Sequence, residues 1–255
     1  HKKEFISDSP YQGKFVIEPL YPGYGLTLGN ALRRVLLSSL EGVAISSIRV
    51  KGADHEFTAL EGVREDLVDI ILNLKQARFD VTGEFEEPIK IELSAKGVKE
   101  IKAGDFKKTA GVKIANPDLV LANLTDAKSS FELEAWIEKG RGYLPTESME
   151  DKEREIGVIA IDAMFTPIKR VAIDTENVRV GDMTNWDRLV LDLETDGTIS
   201  CEDALNKTVS ILVEQFQFLL DNKTSREVPM QDRDPDSQSD IGKKPKKRGR
   251  FKKEE

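Results

Sequence analysis

The chain is poor in the residues that carry most enzyme chemistry. Its 255 residues include one cysteine, Cys201, and two histidines, His1 and His55. A lone cysteine excludes an internal disulfide and a cysteine-rich zinc site, and it fits a reducing cytosol. With one histidine terminal, no Ser-His-Asp or Cys-His set can be assembled. His55 falls between a predicted strand and a predicted helix, with no second ligand at metal spacing. No apolar run approaches the ~20 residues that span a bilayer. No signal peptide is visible, and the chain opens on His1, so its start reads as trimmed. Hydrophobic content of 39% is lean, yet a chain of this length buries a sizeable core in one or two domains.

Charge is abundant and uneven. Charged residues make up 33% of the chain and the net charge is −8, which argues against nucleic-acid binding over the whole body. The tail, residues 229–255, holds nine Lys/Arg and six Asp/Glu, a net +3, leaving −11 on the rest. Few apolar residues accompany those charges, so the tail is expected to be disordered. It reads either as a non-specific phosphate contact or as a solubilising terminus.

Three motifs resemble binding sites and fail on spacing or context. Gly23-Tyr-Gly-Leu-Thr-Leu-Gly29 has no Lys-Ser/Thr after it and no βαβ unit around it, so it reads as a loop turning into a helix. Asp232-Arg-Asp-Pro-Asp236 has alternating carboxylates in a stretch too polar to hold fixed geometry. Gly140-Arg-Gly-Tyr143 reads as an RNA-contacting box or, more plainly, as a turn after a strand. No catalytic residue, cofactor site or metal site is expected.

Periodicity gives the elements. Strands are expected over 15–20, 43–50, 89–93 and 131–137, the last alternating Phe131, Leu133, Ala135 and Ile137 against Glu132, Glu134, Trp136 and Glu138. Further strands are expected over 158–164, 167–174, 178–180 and 189–194, with a turn at Asp196-Gly197. Residues 146–155 read as a mobile surface loop. A first helix is expected from Thr27 as its cap to Leu40, closed by Gly42 as a left-handed residue. Leu28, Leu32, Val35, Leu36 and Leu40 share one stripe, so Arg33 and Arg34 cannot both lie on it. A second helix is expected over 62–75, with Val63, Leu67, Ile70 and Leu74 on one side.

The last helix, starting at Ser200 with Asp203 as its capping partner, is apolar on more than one face. Leu205, Val209, Leu212, Phe216 and Leu219 form a stripe, which Ala204, Ile211, Val213, Phe218 and Leu220 widen. Either it is a central helix covered by its own domain, or its second face pairs with another copy of the chain.

Five segments carry a family resemblance: GLTLGNALRRVLLSSL (Gly25–Leu40), HEFTALEGVREDLVDIILNLK (His55–Lys75), GRGYLP (Gly140–Pro145), IGVIAIDAMFTPIKRV (Ile156–Val171) and LVLDLETDGTISCEDAL (Leu189–Leu205). In this order they resemble the N-terminal assembly domain of the bacterial-type RNA polymerase alpha subunit, over roughly residues 5 to 228. The resemblance implies an α+β fold in two parts. A mixed α/β dimerisation part would be built from residues 1–42 and 167–228, and a β-rich part, 43–166, inserted between them. It implies a homodimer that nucleates assembly of the beta and beta-prime subunits of DNA-directed RNA polymerase, contributing no catalytic residue to that nucleotidyltransferase.

The implied dimer interface is Leu28, Leu32, Val35, Leu36, Leu205, Val209, Leu212, Phe216 and Leu219. The implied beta contact is Arg33, Arg34 and Leu37, with Gly62, Val63, Glu65 and Asp66 of the GVxED box beside them. The implied beta-prime contact is Lys75 with Ile161, where the family has valine. The family often carries a linker and a small DNA-binding C-terminal domain. That domain is expected to be absent here, so DNA would be met only through the complex or the tail. A cytoplasmic, nucleoid-associated location follows. The rival reading is a stand-alone nucleic-acid-binding protein acting through the basic tail.

Overall fold

The computed structural model describes residues 2–83, 85, 87–149 and 157–221. The chain is α+β. In order it forms β1 (Lys2–Ser9), β2 (Gln12–Leu20), α1 (Tyr24–Ser38), β3 (Glu41–Val50), α2 (Leu67–Leu74), β4 (Phe79–Val81) and β5 (Ile89–Lys96). Then come β6 (Lys99–Lys102), β7 (Val112–Ile114), β8 (Val120–Leu124), β9 (Ser130–Arg141), β10 (Tyr143–Leu144), β11 (Ile159–Ala160) and β12 (Ala163–Met164). The chain returns through β13 (Ile168–Val180) and β14 (Met183–Thr195) to α3 (Cys201–Asp221). Among the described residues no helix is long and apolar enough to cross a membrane.

Both ends of the chain build one sheet, ordered β1-β2-β14-β13 and antiparallel throughout. Its alternating apolar residues, Phe15, Leu189, Leu191, Leu193 and Val171, meet Leu32, Leu36, Leu40, Cys201, Ala204 and Leu205 in one core. α1 lies across β13 and β14, and α3 packs on α1. Close approach needs small residues on the contacting face of α1. A Cβ on Gly25 would meet Asp187 and Thr175 at 3.0 to 3.1 Å, and one on Gly29 would meet Leu189 at 3.0 Å. The glycine run that resembled a phosphate loop therefore serves helix-on-sheet packing.

The middle of the chain builds a second sheet, β11-β3-β9-β5, with its own larger core. Leu67, Ile70 and Leu74 of α2 drop into that core beside Ile91, Leu93, Leu133 and Ile137. A small cluster of Ala44, Met149, Ala163 and Phe165 fills the joint between the two cores.

Several sequence expectations change. Thr27 does not cap α1: the helix starts three residues earlier behind Gly23, and the Thr27 hydroxyl donates back to the Gly23 carbonyl. Gly42 does not close it either. Ser39 is the C-cap, and Gly42 lies in β3, where a Cβ would sit 1.9 Å from the Phe165 carbonyl oxygen. α2 is only eight residues long, with Asp66 as its N-cap. Gly62, at φ +73°, and Val63, which bridges to Leu124, form a loop before it. The stretch 158–164 makes two short strands in different sheets, and 168–180 is one continuous strand. Thr146–Met149 is a 3-10 turn that buries Met149. The rest of that expected loop, 150–155, lies outside the described residues, as does the tail expected over 229–255.

Candidate functional site

α1 offers its outer side to solvent. Gly25, Gly29, Leu32 and Leu36 face inward, so the 100° step per residue turns Arg33, Arg34 and Leu37 outward, and all three are exposed. Among the described residues neither guanidinium has an ion pair or a side-chain hydrogen bond. An unpaired guanidinium fork keeps five donors free for a carboxylate or a carbonyl of another molecule. The helix beneath is fixed at its start, where the Gly25 N–H donates to Asp187 Oδ2 at 2.9 Å.

α3 divides along its length. Its start is closed reciprocally: the Asp203 N–H donates to Ser200 Oγ at 3.1 Å, and that hydroxyl donates to Asp203 Oδ2 at 2.7 Å. The capping expectation therefore holds, and an acidic first turn suits the helix dipole. Cys201, Ala204, Leu205 and Thr208 then face the chain's own core, with Ile211 and Leu212 partly covered. From Val213 to Leu220 every side chain is exposed. Phe216 is 61% exposed and Leu220 83%. Phe218 and Leu219 are exposed too, so the last two turns carry large apolar groups that their own chain does not cover.

The expected interface set therefore needs correction. Leu32, Leu36 and Leu205 are enclosed in the chain's own core, and they support a surface from beneath without forming it. Val35 and Leu212 are half-buried, while Leu28, Val209, Phe216 and Leu219 are exposed. Val213, Phe218 and Leu220, which the helical pattern showed only as extra width, belong with the exposed group.

A third surface lies at the end of α2. Lys75 Nζ pairs with Asp162 Oδ2 at 2.9 Å, and Asp162 Oδ1 accepts the Thr146 N–H at 2.9 Å. The Tyr143 hydroxyl lies beside this carboxylate, whose charge helps push the phenol above its usual range. The Lys75 ammonium first, and then the Thr146 N–H, hold the Asp162 carboxyl down at about 2. Ile161 was expected to touch a partner here. It is instead 1% exposed within the larger core, and its neighbour Asp162 takes the surface position. An acid between Ile161 and Ala163 in an otherwise apolar run was the signal in the sequence. Tyr143 and Met164, paired across β10 and β12, flank the site and are exposed.

The GVxED box is partly committed inside the chain. Glu65 accepts from the Asn123 N–H and from Asn123 Nδ2, both at 2.7 Å. Burial opposes its ionisation most strongly, but the two Asn123 donors, with its own backbone N–H and the Arg64 charge, together hold the carboxyl below its usual range. Glu65 thus pins the loop before α2 to β8. Gly62 and Val63 are half-buried, and Asp66 is exposed. Val63 packs against the larger core, whereas Arg33, Arg34 and Leu37 stand on α1, which packs on the other.

Comparison with known proteins fits this arrangement. A model of the RNA polymerase Rpb3/RpoA insert domain matches residues 46–166. The DNA-directed RNA polymerase subunit alpha of Flavobacterium psychrophilum is 46% identical over 223 residues, covering 87% of this chain and 67% of that protein. The subunit alpha of Cytophaga hutchinsonii is 49% identical over 212 residues, covering 83% and 64%. That of Nitratidesulfovibrio vulgaris is 46% identical over 215 residues, covering 84% and 60%. The chain thus spans about two thirds of the length of the curated relatives it matches. With this identity across both cores and the return strands, the chain belongs to the family of DNA-directed RNA polymerase alpha subunits.

Proposed function

We propose that this chain is an assembly scaffold of a DNA-directed RNA polymerase: it pairs with a second copy and then holds the beta and beta-prime subunits. The carrying observation is the far half of α3, whose Val213, Phe216, Phe218, Leu219 and Leu220 lie uncovered on a helix that is otherwise anchored in its own core. Large apolar groups left uncovered on more than one side of a helix mark a contact with another protein surface. Family membership supports a second copy as the occupant, with Leu28, Val35 and Val209 at the margin of the contact.

In this reading Arg33 and Arg34 meet the beta subunit, because their guanidinium groups are exposed and free of carboxylates among the described residues, with the exposed Leu37 beside them. Asp66, exposed at the N-cap of α2, is a second point of that contact. Lys75 meets the beta-prime subunit as one member of a pair with Asp162, presenting a nearly neutral polar spot edged by Tyr143 and Met164. Two identical copies facing two different large subunits must use overlapping surfaces differently, so binding of the first partner breaks the twofold symmetry. On this reading the chain supplies no catalytic group to the nucleotidyltransferase, meets DNA through the complex or through its basic tail, and works in the cytoplasm with the nucleoid. The test is sedimentation equilibrium of the purified chain at micromolar concentration. A dimer is expected, and a well-folded monomer overturns the proposal.

A further inference from the structure

A small apolar cluster fills the joint between the two cores. The chain crosses between them twice, at residues 40–44 and 163–168, and Phe165 wedges the joint against Gly42 and Gly140. Beside these crossings lies a buried ion pair. Arg78 Nε stands 3.4 Å from Asp196 Oδ2, and the two side chains are only 15% and 5% exposed. Arg78 follows α2 in the half built around the larger core, and Asp196 sits in the turn from β14 to α3 in the other half.

Each partner is fixed on its own side. The Arg78 N–H donates to Asn116 Oδ1 at 2.9 Å, and its carbonyl accepts the Ala115 N–H at 2.9 Å. Asp196 Oδ1 accepts the Thr198 N–H at 3.0 Å and the Thr198 hydroxyl at 2.6 Å, and the Asp196 N–H donates to the Pro167 carbonyl at 2.9 Å. The guanidinium has further work to do. Nη1 donates to the carbonyls of Lys75 at 3.3 Å and Met164 at 3.4 Å. It therefore ties three things together: the end of α2 that carries Lys75, the crossing strand β12, and the turn that starts α3. A single ammonium cannot span three acceptors in this fork geometry.

The exposed ion pairs of the sheet faces, such as Lys107–Glu92 or Lys51–Glu132, are screened by water and hold little. The Arg78–Asp196 pair differs because its side chains are only 15% and 5% exposed, so removing either charge leaves the other largely covered and without its partner. We propose that Arg78 and Asp196 form a positioning latch. It locks the half that carries Lys75 and Asp162 at a fixed angle to the half that carries α1 and α3, so the surfaces for two large partners are presented as one rigid platform. The partner assignment rests on the scaffold reading above, whereas the latch itself is a property of a single chain.

The test is amide hydrogen exchange on the full chain with Arg78→Met, Asp196→Asn, the double variant, and Arg78→Lys. Asp196→Asn keeps an oxygen for Thr198, so it stays informative if Arg78→Met fails to fold. The latch predicts that the joint amides Phe165, which donates to the Gly142 carbonyl, and Asp196 exchange about tenfold faster in each single variant, as expected for a local opening. Amides in the middle of β9 and β14 keep wild-type rates. The double variant matches a single one, because the two charges act as a unit, and Arg78→Lys recovers part of the protection. Unchanged joint amides overturn the latch. So does a uniform rise across both halves, which marks ordinary stabilisation, and so do effects that multiply in the double variant. Sedimentation of the same variants separates the two ideas: a latch variant that remains a dimer leaves the scaffold reading in place whichever way exchange turns out.

Discussion

Replacing Phe216 with alanine is expected to split the dimer and leave the fold of each chain whole. Fully burying a phenylalanine side chain contributes about 1.5–3 kcal/mol. The single chain leaves 61% of Phe216 exposed, so a partner covering the remainder contributes roughly 1–2 kcal/mol per copy. In a twofold contact the same residue counts twice, which gives about 2–4 kcal/mol, or roughly 30- to 1,000-fold in the dissociation constant. Phe216→Asp should weaken pairing further, because its carboxylate meets no partner in an apolar contact. The assay is sedimentation velocity over a dilution series, with far-UV circular dichroism as the check on folding. Leu205→Ala is the contrasting control. Leu205 is enclosed in its own chain's core, so that variant should cost about 2–5 kcal/mol of fold stability and lower the melting temperature. A Phe216→Asp protein that sediments as wild type would refute the reasoning, since it would leave the apolar half of α3 without a role in pairing.

Other perturbations read the remaining surfaces. Arg34→Ala should weaken capture of the beta subunit in a pull-down and leave the mass of the free dimer unchanged; a monomeric Arg34→Ala protein would contradict the division of roles. Asp162→Asn should lower the melting temperature at pH 7. The folded-state value of Asp162, about 2, lies below the ~3.9 of an unfolded aspartate. Its carboxylate therefore adds stability above about pH 4 and loses it as the pH falls towards 2, so the gap between wild type and variant should close over that window. A gap that stays constant down to pH 2 would show that the charge is not what holds the site. Cys201 should resist alkylation in the native protein at pH 8, because burial raises its thiol to about 11, and should react once urea unfolds the chain; rapid native labelling would contradict its placement.

The parts of this fold that were legible in the sequence are those decided locally. The Ser200–Asp203 cap of α3, the alternation of β9 and the turn at Gly197 all depend on neighbours in sequence, and the structure contains them. The misses have long-range causes. β1 is polar and charged because it is an edge strand paired on one side only, with Phe5 stacked on Phe15 as its main apolar contact. The apolar steps of α2 continue backwards to Val63, but Gly62 takes a left-handed turn and Glu65 is drawn to Asn123, 58 residues away. Helical spacing shows that Leu36 and Phe216 each lie on an apolar face; it does not say whose side chains cover that face. Burial separates them, placing Leu36 inside its own chain and Phe216 outside. The pairing of Arg78 with Asp196 carries no local signal, since their meeting depends on how two cores are set against each other.

In the proposed assembly two copies of this chain form one platform for two different large subunits. Native mass spectrometry of the complex, assembled by co-expression with beta and beta-prime subunits, tests it most directly. Two copies of this chain for one of each large subunit are expected. One copy per complex, or a stable assembly of the large subunits with no copy at all, would contradict it.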